Sequence, residues 1–128
     1  MPLTEEETAL LSACPLFRGM ARDVPRCLAE EAERAEFQPG QTVYSPRHFR
    51  RSLGVVLSGQ LQVTKGALAV SALGPGDLFG AAALYSDEAE FASTITAKCP
   101  SSCLMLEQSL MDRLLAEQSQ IRENYLRY

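Results

Sequence analysis

The sequence predicts a mainly β domain, an antiparallel β-roll or barrel with helices flanking it at both ends. Three observations predict it. From Phe37 to Leu106 the apolar residues come in short runs, broken by Pro39-Gly40, Ser58-Gly59, Gly66 and Gly74-Pro75-Gly76-Asp77. Leu61 and Val63 alternate with Gln60, Gln62 and Thr64, the period-two pattern of a half-buried strand. Signals for longer helices are confined to the two ends of the chain.

The elements follow in order. Thr4-Glu5-Glu6-Glu7 is a capping box: the Thr4 hydroxyl can accept from the Glu7 amide, and the Glu7 carboxylate can reach back. A short helix follows through Leu10 and Leu11 and stops before Pro15. Asp23 caps a second helix, with Val24, Cys27, Leu28, Ala32 and Ala35 on one face. Gln38-Pro39-Gly40-Gln41 is a turn, Thr42-Val43-Tyr44 a short strand, and Leu53 to Leu57 a compact apolar strand. Gly66 permits a tight turn before Leu68, Val70 and Leu73. Leu78-Phe79 ends a strand, and the small residues of Gly80-Ala81-Ala82-Ala83-Leu84 make one helical turn. Strands return at Ser93 to Ala97 and Ser102 to Leu106. Ser109 with Asp112 starts a helix through Leu114 and Leu115, and Ser119 caps a last one.

Composition narrows the function. With 128 residues the chain reads as one domain, residues 1–128. It carries 12 Lys and Arg against 16 Asp and Glu, a net charge of −4, so its own surface is a poor nucleic-acid binder. The basic cluster Arg47, His48, Arg50 and Arg51 is either a solvated turn or a contact patch for an acidic partner. No stretch approaches the roughly 20 apolar residues of a membrane span. The acidic start, Met1-Pro2-Leu3-Thr4-Glu5-Glu6-Glu7, is no secretory signal, and a cytoplasmic protein is expected. In that setting Cys14, Cys27, Cys99 and Cys103 are expected as unpaired core or surface thiols.

Catalysis has little material, and no enzyme is expected. His48 is the single histidine, and no nucleophile motif such as GxSxG occurs. Asp87, Glu88 and Glu90 lie together in one polar loop. Gly74-Pro75-Gly76-Asp77 lacks the Gly-Lys-Ser/Thr of a phosphate loop. One histidine without a CxxC pair predicts no metal and no resident cofactor. It also argues against a cupin-like enzyme, which needs clustered histidines and a carboxylate.

The informative segments are Gly54-Val55-Val56-Leu57-Ser58-Gly59-Gln60-Leu61-Gln62-Val63 and Leu73-Gly74-Pro75-Gly76-Asp77-Leu78-Phe79-Gly80. With Phe37-Gln38-Pro39-Gly40-Gln41 before them, and Cys14-Pro15-Leu16-Phe17-Arg18-Gly19-Met20 before those, the ordered set resembles the cyclic-nucleotide-binding fold of CRP/FNR-type regulators. The resemblance implies a double-stranded β-helix, or jelly roll, and a ligand-sensing role. It places the ligand site at Gly80, Ala81, Ala82, Ala83, Phe91, Ala92 and Ser93. In the family a glutamate after the glycine holds the ribose, and a downstream arginine neutralises the phosphate. Here those positions fall on Ala81 and near Phe91. The pocket is then filled in, or remodelled and more apolar for another small effector, or still open to cyclic nucleotides through backbone amides.

The resemblance also implies a helix after the roll that pairs with its symmetry mate and leads to a DNA-binding domain beyond residue 128. Ile121, Tyr125 and Tyr128 recur at i, i+4 and i+7, one helical stripe. That stripe either packs back on the roll or forms the start of a dimer seam. A homodimer is expected of the full-length protein, with DNA reached only through the further domain. A module serving another output, such as a kinase or channel, is the rival expectation.

Overall fold

A computed structural model describes residues 3–20, 30–45, 51–84 and 93–127, and for Ala82 and Ala83 the backbone alone. Helix α1 (Glu5–Ala13) comes first, then strands β1 (Glu33–Phe37), β2 (Thr42–Tyr44), β3 (Ser52–Ser58), β4 (Leu61–Lys65), β5 (Leu68–Leu73) and β6 (Leu78–Phe79). The single turn α2 (Ala81–Leu84) leads toward β7 (Ser93–Ala97) and β8 (Ser101–Glu107), and the chain continues through α3 (Gln108–Glu117) and α4 (Ser119–Arg127). The strands form two four-stranded sheets, ordered β1-β8-β3-β6 and β2-β7-β4-β5, with every pairing antiparallel. This is the jelly roll the sequence predicts. Among the described residues no helix is long and apolar enough to cross a membrane.

Alternation along β3 and β8 builds two cores. Leu53, Val55 and Leu57 of β3 join Leu104 and Leu106 of β8 against the helices, where Leu11, Phe17, Met111 and Leu114 pack. The intervening Val56, Cys103 and Met105 belong to a second core inside the roll, with Leu61, Phe79, Ile95 and Ala97. Each fully buried Leu or Val contributes about 1.5–3 kcal/mol relative to an exposed one. The first six residues of both strands are therefore dry on either face. By contrast β5, at one edge of its sheet, leaves Leu68 and Val70 exposed.

The capping box on α1 forms as expected, and its glutamate has a second role. Arg34 of β1 donates from Nη2 to Glu7 Oε1 at 2.7 Å and from Nη1 to Glu7 Oε2 at 2.8 Å, pinning the helix to the sheet. These hydrogen bonds lead the causes that hold the Glu7 carboxyl down at about 2. A lowered folded-state pKa means stability that is fully present above about 4.5 and lost as the pH falls toward about 2. Thermal unfolding of the wild type should therefore lose at least about 4 °C more across that interval than Arg34→Met does. Parallel losses in the two proteins would refute the coupling.

Three expectations need correction. Ala35, placed on the second helix, lies in β1 opposite Cys103, and Ala32 precedes that strand. Arg34 and Glu36 reach Ser102 and Glu7 on one face of β1 while Ala35 and Phe37 join the inner core, so period two governs this segment. The rest of the helix expected after Asp23, like the basic cluster at 47–51 except Arg51, lies outside the described residues. Ser109 does not start α3. The helix begins at Gln108, directly from β8, with no side-chain cap, and the Gln108 amide donates to the Arg51 carbonyl at 2.9 Å. Ser119 is the first residue of α4 rather than its cap.

Candidate functional site

The segment after β6 is where the sequence places a ligand. Gly80 has φ +83°, and a Cβ there would lie 2.6 Å from the Ser52 carbonyl oxygen, so only glycine fits between β6 and β3. Ala81 is half-buried and packs against the helix-side core that contains Leu84. Ser93 opens β7 opposite Lys65 of β4. The side chains of Ala82 and Ala83, and all of Phe91 and Ala92, lie outside the described residues. Of the expected set, the structure thus brings Gly80 to Ser52, and sets Ala81 against apolar side chains.

The stripe on α4 turns inward. Ile121 is fully buried in the helix-side core of its own chain, and Tyr125 packs against the same core. Tyr128 lies outside the described residues. Asn124, between them and buried, donates from Nδ2 to the carbonyls of Leu16 and Arg18, each at 2.8 Å. Ile121 is therefore occupied within the chain, and Leu126 is the exposed large apolar residue of α4.

Sequence reasoning missed the cavity inside the roll. It measures about 140 Å³ and is walled by Ala35, Phe37, Val43, Tyr44, Phe79 and Met105. Phe79 reaches it because Gly54 leaves room: a Cβ there would sit 2.1 Å from the ring. Ser52 also lines the cavity, and its Oγ is buried without a hydrogen-bond partner. A buried hydroxyl left unpaired costs about 1–3 kcal/mol, so native structures keep few of them. Ser12 of α1 is the other such hydroxyl among the described residues. The signal for Ser52 was available in the sequence. It directly precedes the apolar run and shares the phase of Gly54 and Val56, the face that looks into the roll.

Burial pushes the Cys14 thiol up, and burial with the Glu36 charge beside it pushes Cys103 to about 12, so neither is a ready nucleophile. Among the described residues no three His, Cys, Asp or Glu side chains converge as a metal site would require.

Comparison with known proteins agrees with this geometry. A cGMP-dependent protein kinase of Drosophila melanogaster is 23% identical over 127 residues, covering 94% of this chain and 14% of the kinase. The chain thus spans about one seventh of that relative's length. Among solved structures, the Thermus thermophilus catabolite activator protein superposes with a TM-score of 0.78 at 24% identity, over 88% of this chain and 55% of that one. The sensor domain of the transcriptional regulator DNR from Pseudomonas aeruginosa gives 0.74 at 16% identity, over 93% and 87%. The family model for the cyclic nucleotide-binding domain matches residues 34–118, well over half of the sequence and all of the roll except Glu33. With the paired four-stranded sheets and the glycine turn ahead of α2 in place, this chain belongs to the cyclic nucleotide-binding domain family.

Proposed function

We propose that this chain is the sensing domain of a CRP/FNR-type transcriptional regulator that does not respond to cyclic AMP or cyclic GMP. The observation that carries the reading is Ala81. At the start of α2, where the resembled family holds ribose with a glutamate, a methyl group packs against the helix-side core. The family's phosphate-binding arginine falls on Phe91 in this sequence. Each charge-assisted hydrogen bond contributes roughly 1.5–3 kcal/mol, so losing both lowers affinity by roughly 10²-fold or more.

Occupancy of the roll would act by changing how the C-terminal helices pack, and so orient a DNA-binding domain beyond Tyr128. The full-length protein is proposed as a cytoplasmic, non-catalytic homodimer that reaches DNA through that further domain. A second reading has one specific support: the kinase match extends over 94% of the chain, as a regulatory module serving a non-DNA output would. The reading frame after Tyr128, with a gel-shift assay of the full-length product, separates the two.

Calorimetry should show no cyclic AMP or cyclic GMP binding at micromolar concentrations. The double change Ala81→Glu with Phe91→Arg should raise affinity for cyclic AMP by about tenfold or more. Micromolar binding by the wild type would overturn the proposal, and no gain in a folded double variant would mean that these positions do not face the phosphate.

A further inference from the structure

Another cavity, of about 260 Å³, lies outside the roll, between α4 and the turn that follows α1. Pro15, Arg18, Asn124 and Arg127 line it. The hydrogen bonds show how two arginines distant in the chain come to share it. Asn124 Nδ2 ties the Arg18 carbonyl to α4 at 2.8 Å, and Arg127 follows Asn124 by three residues, its neighbour on the same helix face.

The charge around this cavity has one sign. Among the described residues lining it there is no Asp or Glu, and both arginines are exposed. Arg34 and Arg113 each have a glutamate partner, whereas neither Arg18 nor Arg127 forms an ion pair among the described residues. Asn124 has no donor to spare, since its two Nδ2 hydrogens serve the Leu16 and Arg18 carbonyls, and Pro15 has no N–H. Recognition here therefore falls to two guanidiniums, which suit the oxygens of an anion and exclude a cation. Two positive charges at one cavity repel each other, and a single group carrying two negative charges offsets both.

We infer that this cavity binds a small phosphate-bearing metabolite, with Arg18 and Arg127 closing on its phosphate. A phosphate monoester near neutral pH puts close to two charges on one group, which a carboxylate does not. Pockets for drug-sized ligands begin at about 300 Å³, so the organic part of this ligand is small. The bound phosphate would join α4 to the turn after α1 beside the Asn124 bridge. The site is separate from the roll, so its ligand is additional to any effector held there.

The test titrates the whole chain with glycerol 3-phosphate, inorganic phosphate, glycerol and a hexaglutamate peptide, at one ionic strength held with chloride. Calorimetric heat reports binding, and the Asn124 side-chain amide resonance reports where it occurs. Glycerol 3-phosphate and inorganic phosphate should bind and shift that resonance, and glycerol should do neither. Arg18→Gln and Arg127→Gln should each weaken glycerol 3-phosphate by about tenfold or more, the loss of a charge-assisted hydrogen bond. Arg122→Gln is the control, because Arg122 is exposed on the same helix but is not among the residues lining the cavity. It should leave the affinity unchanged. Circular dichroism establishes that each variant is folded, and the wild-type resonance decides the matter if one is not. Absent phosphate binding, an unmoved Asn124 amide, or an equal loss in all three folded variants would overturn the inference. Tighter binding of hexaglutamate than of glycerol 3-phosphate would also overturn it, assigning the arginine pair to an acidic protein partner.

Discussion

Replacing Gly59 with alanine should destabilise the roll by roughly 2–5 kcal/mol, the sum of a left-handed backbone cost and a collision. Gly59 has φ +89°, and a Cβ there would stand 2.2 Å from Ser101 Oγ and 2.6 Å from the Pro100 carbonyl oxygen. The serine cannot simply swing aside. Its Oγ donates to the Cys99 carbonyl at 2.8 Å and accepts from the Gln60 amide at 3.2 Å, tying the β3–β4 turn to the β7–β8 turn. Gly66 is the control: its φ is +61°, but no atom lies within 4 Å of an added Cβ. Gly66→Ala should therefore cost only the backbone part, about 1–2 kcal/mol. Urea unfolding of the two variants reads the difference, and equal losses would show that the contact at Gly59 is unimportant.

Asn124→Ala should cost about 2–4 kcal/mol, because two carbonyl acceptors lose their donor and the one on Leu16 stays buried. The Asn124 amide bridges Leu16 and Arg18, and its Oδ1 accepts from Gln120 Nε2 at 3.2 Å. One side chain thus fixes α4 to the turn after α1. Asn124→Asp should be worse than alanine, since a carboxylate oxygen would face those carbonyls in place of the amide donor. Denaturant midpoints would rank the three proteins. An aspartate variant as stable as wild type would mean that the bridge contributes little.

These two positions mark the boundary of what the sequence makes legible. Gly59 was readable as a turn because Ser58-Gly59 interrupts an apolar run; its collision partners lie some forty residues away in the chain and left no local trace. The strands from Thr42 to Leu106 were readable because turn residues and alternation agree there. β1 was not. In Glu33–Phe37 an alanine fits a helical face as well as a strand, and the pairing with β8 that decides the matter is non-local. At the site, the glycine before α2 was legible from motif order, as was the missing acid at Ala81. The cavity was not, since its wall gathers residues from five strands that lie far apart in the chain. On α4 the spacing of Ile121 and Tyr125 was legible, but spacing alone does not say which surface a stripe meets.

The two dry faces of β3 and β8 set where this chain can change length. Adding or deleting one residue within β3 would carry Leu53 and Val55 into the roll and turn Ser52 and Gly54 toward the helices, exchanging the contents of two cores at once. A strand with one wet face could hide such a change on its solvent side; these two have no such side. Among the described residues, a hairpin tip such as Gly66, where an added side chain meets open space, is a better place for an insertion than either strand. The spacing from Ser52 to Ser58 and from Ser101 to Glu107 is accordingly held from both faces.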